Sequence, residues 1–369
     1  MAYSSEMKKA VGLAGACLDS VGLGRQSDRF GRHGRHLPAP DAPLVLVACS
    51  GGRDSLALAS VAAIVCGMRG IRCGAVLVDH GLFEGSDRVA ARAADQCRNL
   101  GLDPVVTRRV EVARTGAGLE SDARDARYRV LTEVARASGA QALLLAHTRD
   151  DQAETVLIGL IRSQGLEAIT GMEPVSARCG VRLLRPILGL SRQETTRICR
   201  QQGLQWWDDP TNGDDRDRDS PLPPDYPLRS RIRHDLLPAL TSFAGRDMAA
   251  RLAAGSALAR RDEDYLRIQS EALRESSSRS PSPEESRQGV LAVLDAARLS
   301  QGHPALRMRV IAEQLNRFGL EAKASRVAAV DALVSDWHGQ GAVDFPSRHS
   351  VIRKGQVILI CNDGDHANR

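Results

Sequence analysis

The chain carries almost no lysine: of 50 basic residues only Lys8, Lys9, Lys323 and Lys354 are not arginine. Its positive charge therefore sits on planar forks suited to bidentate contacts with phosphates and base edges, although a genome rich in G and C produces the same bias. A net charge of +5 favours an anionic partner without choosing one. No C-x-x-C pair occurs among the eight cysteines (Cys17, Cys49, Cys66, Cys73, Cys97, Cys179, Cys199, Cys361), which sit mostly inside apolar runs. That argues against a cysteine-ligated cluster and for reduced core thiols in the cytoplasm. No run approaches the roughly 20 apolar residues of a membrane span. The short, glycine-broken stretch after Lys8-Lys9, with Asp19 closely following, does not make a signal peptide. No G-x-x-x-x-G-K-[ST] is present, which excludes the common P-loop route to ATP, and there is no internal repeat.

What is there is a chain of 369 residues, 43% apolar, enough for a substantial core and two domains with a further small module. From Leu44 to about Gln202, short apolar runs alternate with amphipathic stretches of helical length. Strands are predicted at Leu44 to Ala48, Cys73 to Val78, Pro104 to Val110, Ala142 to Ala146 and Val181 to Arg185. Helices are predicted at Ser55 to Arg69, Ser86 to Leu100, Leu119 to Ser138, Asp151 to Arg162 and Ser191 to Gln202. The alternation is that of an α/β domain with a doubly wound parallel sheet, whose ligands bind beyond the carboxyl ends of the strands. The organisation expected is a lead-in over 1–42, a catalytic domain over 43–240 with an exposed charged, proline-rich insertion at 213–227, a helical segment and linker over 241–289, and a small α+β domain over 290–369.

Three clusters carry chemistry. Ser50-Gly51-Gly52-Arg53-Asp54-Ser55 follows the first strand and opens a helix. Paired glycines let backbone N–H groups approach phosphate oxygens, and the helix dipole adds positive potential. Ser50 and Ser55 can donate hydroxyl bonds, and Asp54 suits Mg²⁺ bridging a polyphosphate. A serine-capped helix after a glycine turn is the plainer account of the same residues. The second cluster, His147-Thr148-Arg149-Asp150-Asp151-Gln152-Ala153-Glu154-Thr155, leaves the fourth strand. Asp151 and Glu154, three apart, share a face and suit a metal or an ammonium group. Simple capping by Asp150 or Asp151, with Glu154 closing a capping box, explains part of the pattern. In the third cluster Arg124 and Arg127 lie one turn apart beside Tyr128, where surface salt bridging is the bland reading. Asp79-His80-Gly81-Leu82 after the second strand either contacts a nucleotide base or only turns the chain.

Together these segments resemble the tRNA(Ile)-lysidine synthetase family of PP-loop ATP pyrophosphatases over roughly Leu44 to Leu240. The matching pieces are S-G-G-x-D-S at 50–55, D-H-G-L at 79–82, A-R-x-x-R-Y at 123–128, H-x-x-D-D-x-x-E-T at 147–155, Arg185-Pro186, Asp209-Pro210-Thr211-Asn212, and Arg231-Ile232-Arg233-His234 running to Leu236-Leu237-Pro238. The resemblance implies the PP-loop fold and a carbon–nitrogen ligase. ATP and Mg²⁺ would adenylate the C2 carbonyl of the wobble cytidine of tRNA(Ile) with a CAU anticodon, and L-lysine would displace AMP. It also implies ATP on Ser50, Gly51, Gly52, Arg53, Asp54 and Ser55, with Asp54 as metal ligand. Asp151 and Glu154 would hold the lysine ammonium or place metal, Arg127 would face the phosphate or activated cytidine, and Arg231 and Arg233 would touch tRNA or nucleotide. The C-terminal block would bind tRNA, no membrane is involved, and a homodimer is left open. Ser230 where the family usually has asparagine, Phe83 where a basic or polar residue is commoner, and the 213–227 insertion depart from the pattern.

Overall fold

The computed structural model describes residues 3–31, 37–79, 81, 85–110, 119–163, 165–210, 216 and 220–362, the side chains of 119–121 excepted. The chain divides into two compact units, Met1–Leu258 and Ala259–Arg369.

The first unit opens with α1 (Ser5–Asp19), whose Met7, Ala10, Ala14 and Leu18 recur at helical spacing and are all buried. Then follow β1 (Leu44–Cys49), α2 (Arg53–Gly67), β2 (Arg72–Asp79), α3 (Ser86–Asn99), β3 (Val105–Arg109), α4 (Leu119–Ala137), β4 (Ala142–Leu144), α5 (Arg149–Arg162), β5 (Val175–Arg178), β6 (Val181–Leu184) and α6 (Arg192–Gln201). The sheet runs β3-β2-β1-β4-β6-β5. All neighbours are parallel except β5, which folds back on β6 as an antiparallel edge hairpin. Every residue of β1 is buried, as a central strand covered on both faces requires. Val45, Val47 and Cys49 enter one core with α1, α2, α3 and α6, while Leu44, Leu46 and Ala48 enter the other with Tyr128, Leu131, Val134 and Ala135 of α4. Strand order reverses between β1 and β4, so the crevice for a ligand opens beyond their carboxyl ends.

Past α6 the chain forms α7 (Leu228–Arg231), a π-helical turn (Ile232–Leu236) and α8 (Leu237–Ala244). Pro238 opens α8 and has no N–H to return to the turn before it, which favours the wider winding there. Ile232 and Leu237 seat this segment on Ala153 and Leu157 of α5.

The long α9 (Met248–Ser277) leads on to the second unit, with β7 (Ser278–Arg279), α10 (Pro283–Arg287), β8 (Val290–Asp295), α11 (Ala296–Gln301), α12 (Pro304–Arg317), α13 (Ala324–Ser335), β9 (Val343–Phe345), β10 (His349–Lys354) and β11 (Val357–Asn362). Its antiparallel sheet, β7-β8-β11-β10-β9, packs Ala292, Leu294, Val351, Ile358 and Ile360 against Leu299, Val310, Ile311, Leu315, Val330 and Leu333 of the helices. Within that core Arg307 Nη2 donates to Asp331 Oδ2 at 2.9 Å, and Nε donates to Oδ1.

The α/β class, the parallel-dominated sheet and the C-terminal α+β fold agree with the sequence expectation. Three features differ in detail. The start of the lead-in, expected as a possible helix ahead of a mobile stretch, is a helix built into the core, because the apolar stripe of α1 meets α2 and α6. β5 was not expected, because Val-Ser-Ala-Arg has no apolar run and is half exposed at a sheet edge. The stretch Ser276 to Ser286, read as linker, carries the end of α9, β7 and the start of α10, held by pairing to β8 and by a capping box at Ser282. In the insertion, Leu222 is buried and its N–H donates to the Asp235 carboxylate, while 213–215 and 217–219 lie outside the described residues. His80, Leu82, Phe83, Thr211 and Asn212 also lie outside them.

Candidate active site

The turn from β1 into α2 is built to leave donors open. Gly51 sits at φ +80°, and a Cβ there would meet Ala93 at 3.2 Å and Val89 at 3.3 Å, so only glycine fits. The buried Ser55 hydroxyl donates to the Gly52 carbonyl (2.8 Å) and accepts from the Ser50 N–H (3.1 Å), while the Trp207 N–H donates to the Gly51 carbonyl (3.0 Å). The Cys199 thiol fixes the Arg53 carbonyl from α6. Gly52 caps α2 without any side-chain acceptor. The first N–H groups of the helix are thereby left for an anion.

Asp54, half buried, accepts from the Thr195 hydroxyl through Oδ1 (2.5 Å). Among the described residues, the cation nearest its Oδ2 is Arg192 Nε, at 3.7 Å. Burial, reinforced by the charge of Asp151, raises its carboxyl above the ordinary range against the pull of Arg192.

From the neighbouring strand β4, Thr148 caps α5, and Asp151 completes the capping box by accepting from the Thr148 N–H (2.7 Å) and hydroxyl (2.8 Å). The cap is therefore Thr148, and neither Asp150 nor Glu154 has the part that sequence spacing offered it. Asp150 instead accepts the Arg192 N–H at 3.0 Å. Arg192, first residue of α6, bridges Asp151 Oδ1 (2.7 Å) and Glu154 Oε1 (2.9 Å). Arg233 donates to both oxygens of Glu154, at 2.9 and 3.2 Å. Arg229 stands 3.5 Å from Glu154 Oε2 and donates to the Thr155 hydroxyl at 3.3 Å. Burial opposes the charge on Asp151, but Arg192, His147, the Thr148 N–H and Arg233 outweigh it and hold the carboxyl well below the usual range.

His147 is driven the other way, to about 3, by burial together with the charges of Arg185, Arg127 and Arg229. It is neutral at physiological pH, with a buried Nδ1 that has no hydrogen-bond partner. Burial likewise lowers Arg127 on α4, whose charge acts on Cys49 at the end of β1 and on His147. Arg124 and Arg178 stack on Tyr128, at 5.5 and 4.6 Å from its ring centre.

The structure thus brings Asp54, Asp151, Glu154 and Arg233 into one hydrogen-bonded and ion-paired cluster at the β1/β4 crevice. Arg231 is not among the arginines on these carboxylates; its Nε is buried without a partner. Sequence reasoning missed Arg192, Thr195 and Arg229. The capping box Ser191-x-x-Glu194 marks Arg192 as the first helical residue, and Arg229 stands four before Arg233 on one helical face. Among the described residues no group of three or more His, Cys, Asp or Glu is arranged to hold a metal by itself.

Comparison with known proteins gives a consistent picture. Residues 29–240 match the PP-loop domain model and 294–358 match the TilS substrate binding domain. The chain is 51% identical to a tRNA(Ile)-lysidine synthase of Bifidobacterium longum subsp. infantis, covering 100% of both chains. It is 42% identical to the synthase of Streptomyces coelicolor, over 87% of this chain and 86% of that one. Among solved structures, the U34-tRNA thiolase NcsA from Methanococcus maripaludis aligns with TM-score 0.50 at 15% identity, over 68% of this chain and 78% of that one, a likeness of fold.

Proposed function

The chain belongs to the tRNA(Ile)-lysidine synthase family, and from that premise we propose that it ligates lysine to C2 of the wobble cytidine of tRNA(Ile) with a CAU anticodon, at the expense of ATP. In the first step the cytidine O2 attacks the α-phosphorus of ATP and pyrophosphate leaves. In the second the lysine amine attacks C2, and AMP departs carrying the former carbonyl oxygen. ATP, lysine and tRNA share one compartment, and the cytoplasm is where we place the reaction.

The observation that supports this reading is that Arg192 ties Asp54 of the phosphate loop to Asp151 of the next crevice strand-to-helix turn. Ser50 to Ser55 would take the polyphosphate on the open N–H groups of α2. The Oδ2 of Asp54, with no N–H or O–H within hydrogen-bond distance among the described residues, is a hard oxygen fit for Mg²⁺, which commonly uses one or two carboxylates and completes its shell with phosphates. When bound there, Mg²⁺ would offset charge on the leaving pyrophosphate. Arg127, a cation made less comfortable by burial, gains most when charge develops on the activated cytidine. Neutral His147, whose Nδ1 has no hydrogen-bond partner among the described residues, is the acceptor at hand for the proton of the attacking amine. Arg233 and Arg231 lie on the segment assigned to tRNA or nucleotide, and the unit containing 290–362 would grip tRNA.

The test is incubation with ATP, Mg²⁺, labelled lysine and a CAU-anticodon tRNA(Ile) transcript. Label should enter the RNA with one AMP and one pyrophosphate per lysine. Pyrophosphate release with another acceptor, and no lysine in the RNA, would overturn the assignment.

A further inference from the structure

The side chain of Glu154 has no exposed surface at all. Its carboxylate is therefore closed to a substrate in this conformation. Both of its oxygens accept from arginines, and both oxygens of Asp151 are likewise taken, one by the cap of α5 and one by Arg192. The acidic pair is a socket filled by the protein's own cations. We propose that Glu154 is a positioning residue that holds an arginine triad, Arg192, Arg229 and Arg233, to receive the polyphosphate of ATP.

Three observations point to phosphate. Arg192 Nε lies 3.7 Å from Asp54 Oδ2, so the triad borders the phosphate loop. The Arg192, Arg229 and Arg233 guanidinium groups gather on the Asp151 and Glu154 carboxylates in a half-buried place, where N–H donors turned toward an anion meet little competition from water. Arg229 is the most exposed of the three, 29% against 13% and 17%, and makes the longest contacts, 3.3 Å to Thr155 and 3.5 Å to Glu154. It can turn toward a phosphate while Arg192 and Arg233 stay fixed. Planar guanidinium groups held in place offer the paired N–H donors that phosphate oxygens accept best.

The inference rests on the lysidine-forming reading only for two of its controls. Equilibrium binding of ATP-Mg²⁺ to the full chain, without tRNA or lysine, is measured by calorimetry for wild type, Glu154→Gln, Arg229→Ala, Arg229→Lys and the double variant Glu154→Gln/Arg229→Ala. The Michaelis constant for lysine and the binding of tRNA are measured beside it. Glu154→Gln and Arg229→Ala should each weaken ATP binding about tenfold or more. Lysine and tRNA should change by less than about threefold. Arg229→Lys should recover part of the loss, and the double variant should be little worse than the poorer single one. A rise confined to the lysine constant would make Glu154 a lysine ligand, and loss confined to tRNA would turn the triad toward RNA. Additive losses would mean that Glu154 does not act through Arg229. If Glu154→Gln does not fold by circular dichroism, the Arg229 pair decides by itself. A chain whose ATP binding depends on the triad but which puts no lysine into RNA would overturn the lysidine reading alone.

Discussion

Each unit buries arginine against carboxylate, yet the two arrangements follow different rules. In the second unit Arg307 and Asp331, both 6% exposed, form a closed pair: two guanidinium N–H groups meet two carboxylate oxygens, and a third donor takes the Gly302 carbonyl. In the first unit three arginines crowd two carboxylates, a third carboxylate stands at 3.7 Å, and His147 keeps a buried nitrogen without a partner. A closed pair satisfies itself and needs nothing further. An open network leaves longer contacts and a lone pair within reach of a ligand, and perturbed titration accompanies it: Asp54 up, Asp151 and His147 down.

The contrast can be broken in stages. The largest effect is expected from Asp54→Asn, which should cut ATP-dependent pyrophosphate release by about 10³-fold or more with an unchanged circular dichroism spectrum; near-normal turnover would remove Asp54 from the site. Next, Arg307→Met alone should cost the second unit about 3–5 kcal/mol by stranding Asp331, read as a lower urea midpoint. Pairing it with Asp331→Leu should bring stability back to within about 1 kcal/mol of wild type or above it, with ATP binding intact. The matching exchange in the first unit, Arg192→Met with Glu154→Leu, should abolish lysine incorporation even where the fold survives. Equal tolerance of both exchanges would erase the distinction between closed and open networks.

The smallest effect is in acid. His147 has a folded value near 3 against 6.5 in the unfolded chain, so the unfolded state binds the extra proton between these limits. Stability is full above that window and is lost as pH falls through it. Asp151, held low in the fold, adds a loss in the same direction below the ordinary carboxylate range. Urea midpoints of His147→Asn should therefore decline less between pH 7 and pH 4 than those of wild type, and parallel curves would show that His147 does not titrate this way.

The sheet was legible wherever burial on both faces forces an unbroken apolar run, as in Leu44–Cys49 and Ala142–Leu144. β5 was not, because an edge strand has no such duty. The carboxylates of the site stood out in sequence because three acidic residues opening one helix exceed what capping needs. Their partners did not. Arginine is so abundant in this chain that Arg192 and Arg229 look like any other surface cation until α6 and α7 are folded against α5. The spacing of Asp151 and Glu154 suggested a vacant pocket for a cation. Only the fold reveals that residues distant in sequence fill it.

The ends of the first sheet carry a last consequence. An unpaired strand edge is a template on which another chain can polymerise. β3 runs out through Arg108 and Arg109, and β5 is four residues long and ends in Arg178. A second copy laid along β3 would meet the charge of Arg108 and Arg109, and one laid along β5 would find only four residues to pair with. Charged or short borders of this kind disfavour edge-to-edge pairing, so the arginine bias of the chain has a use at its sheet edges separate from the one at the candidate site.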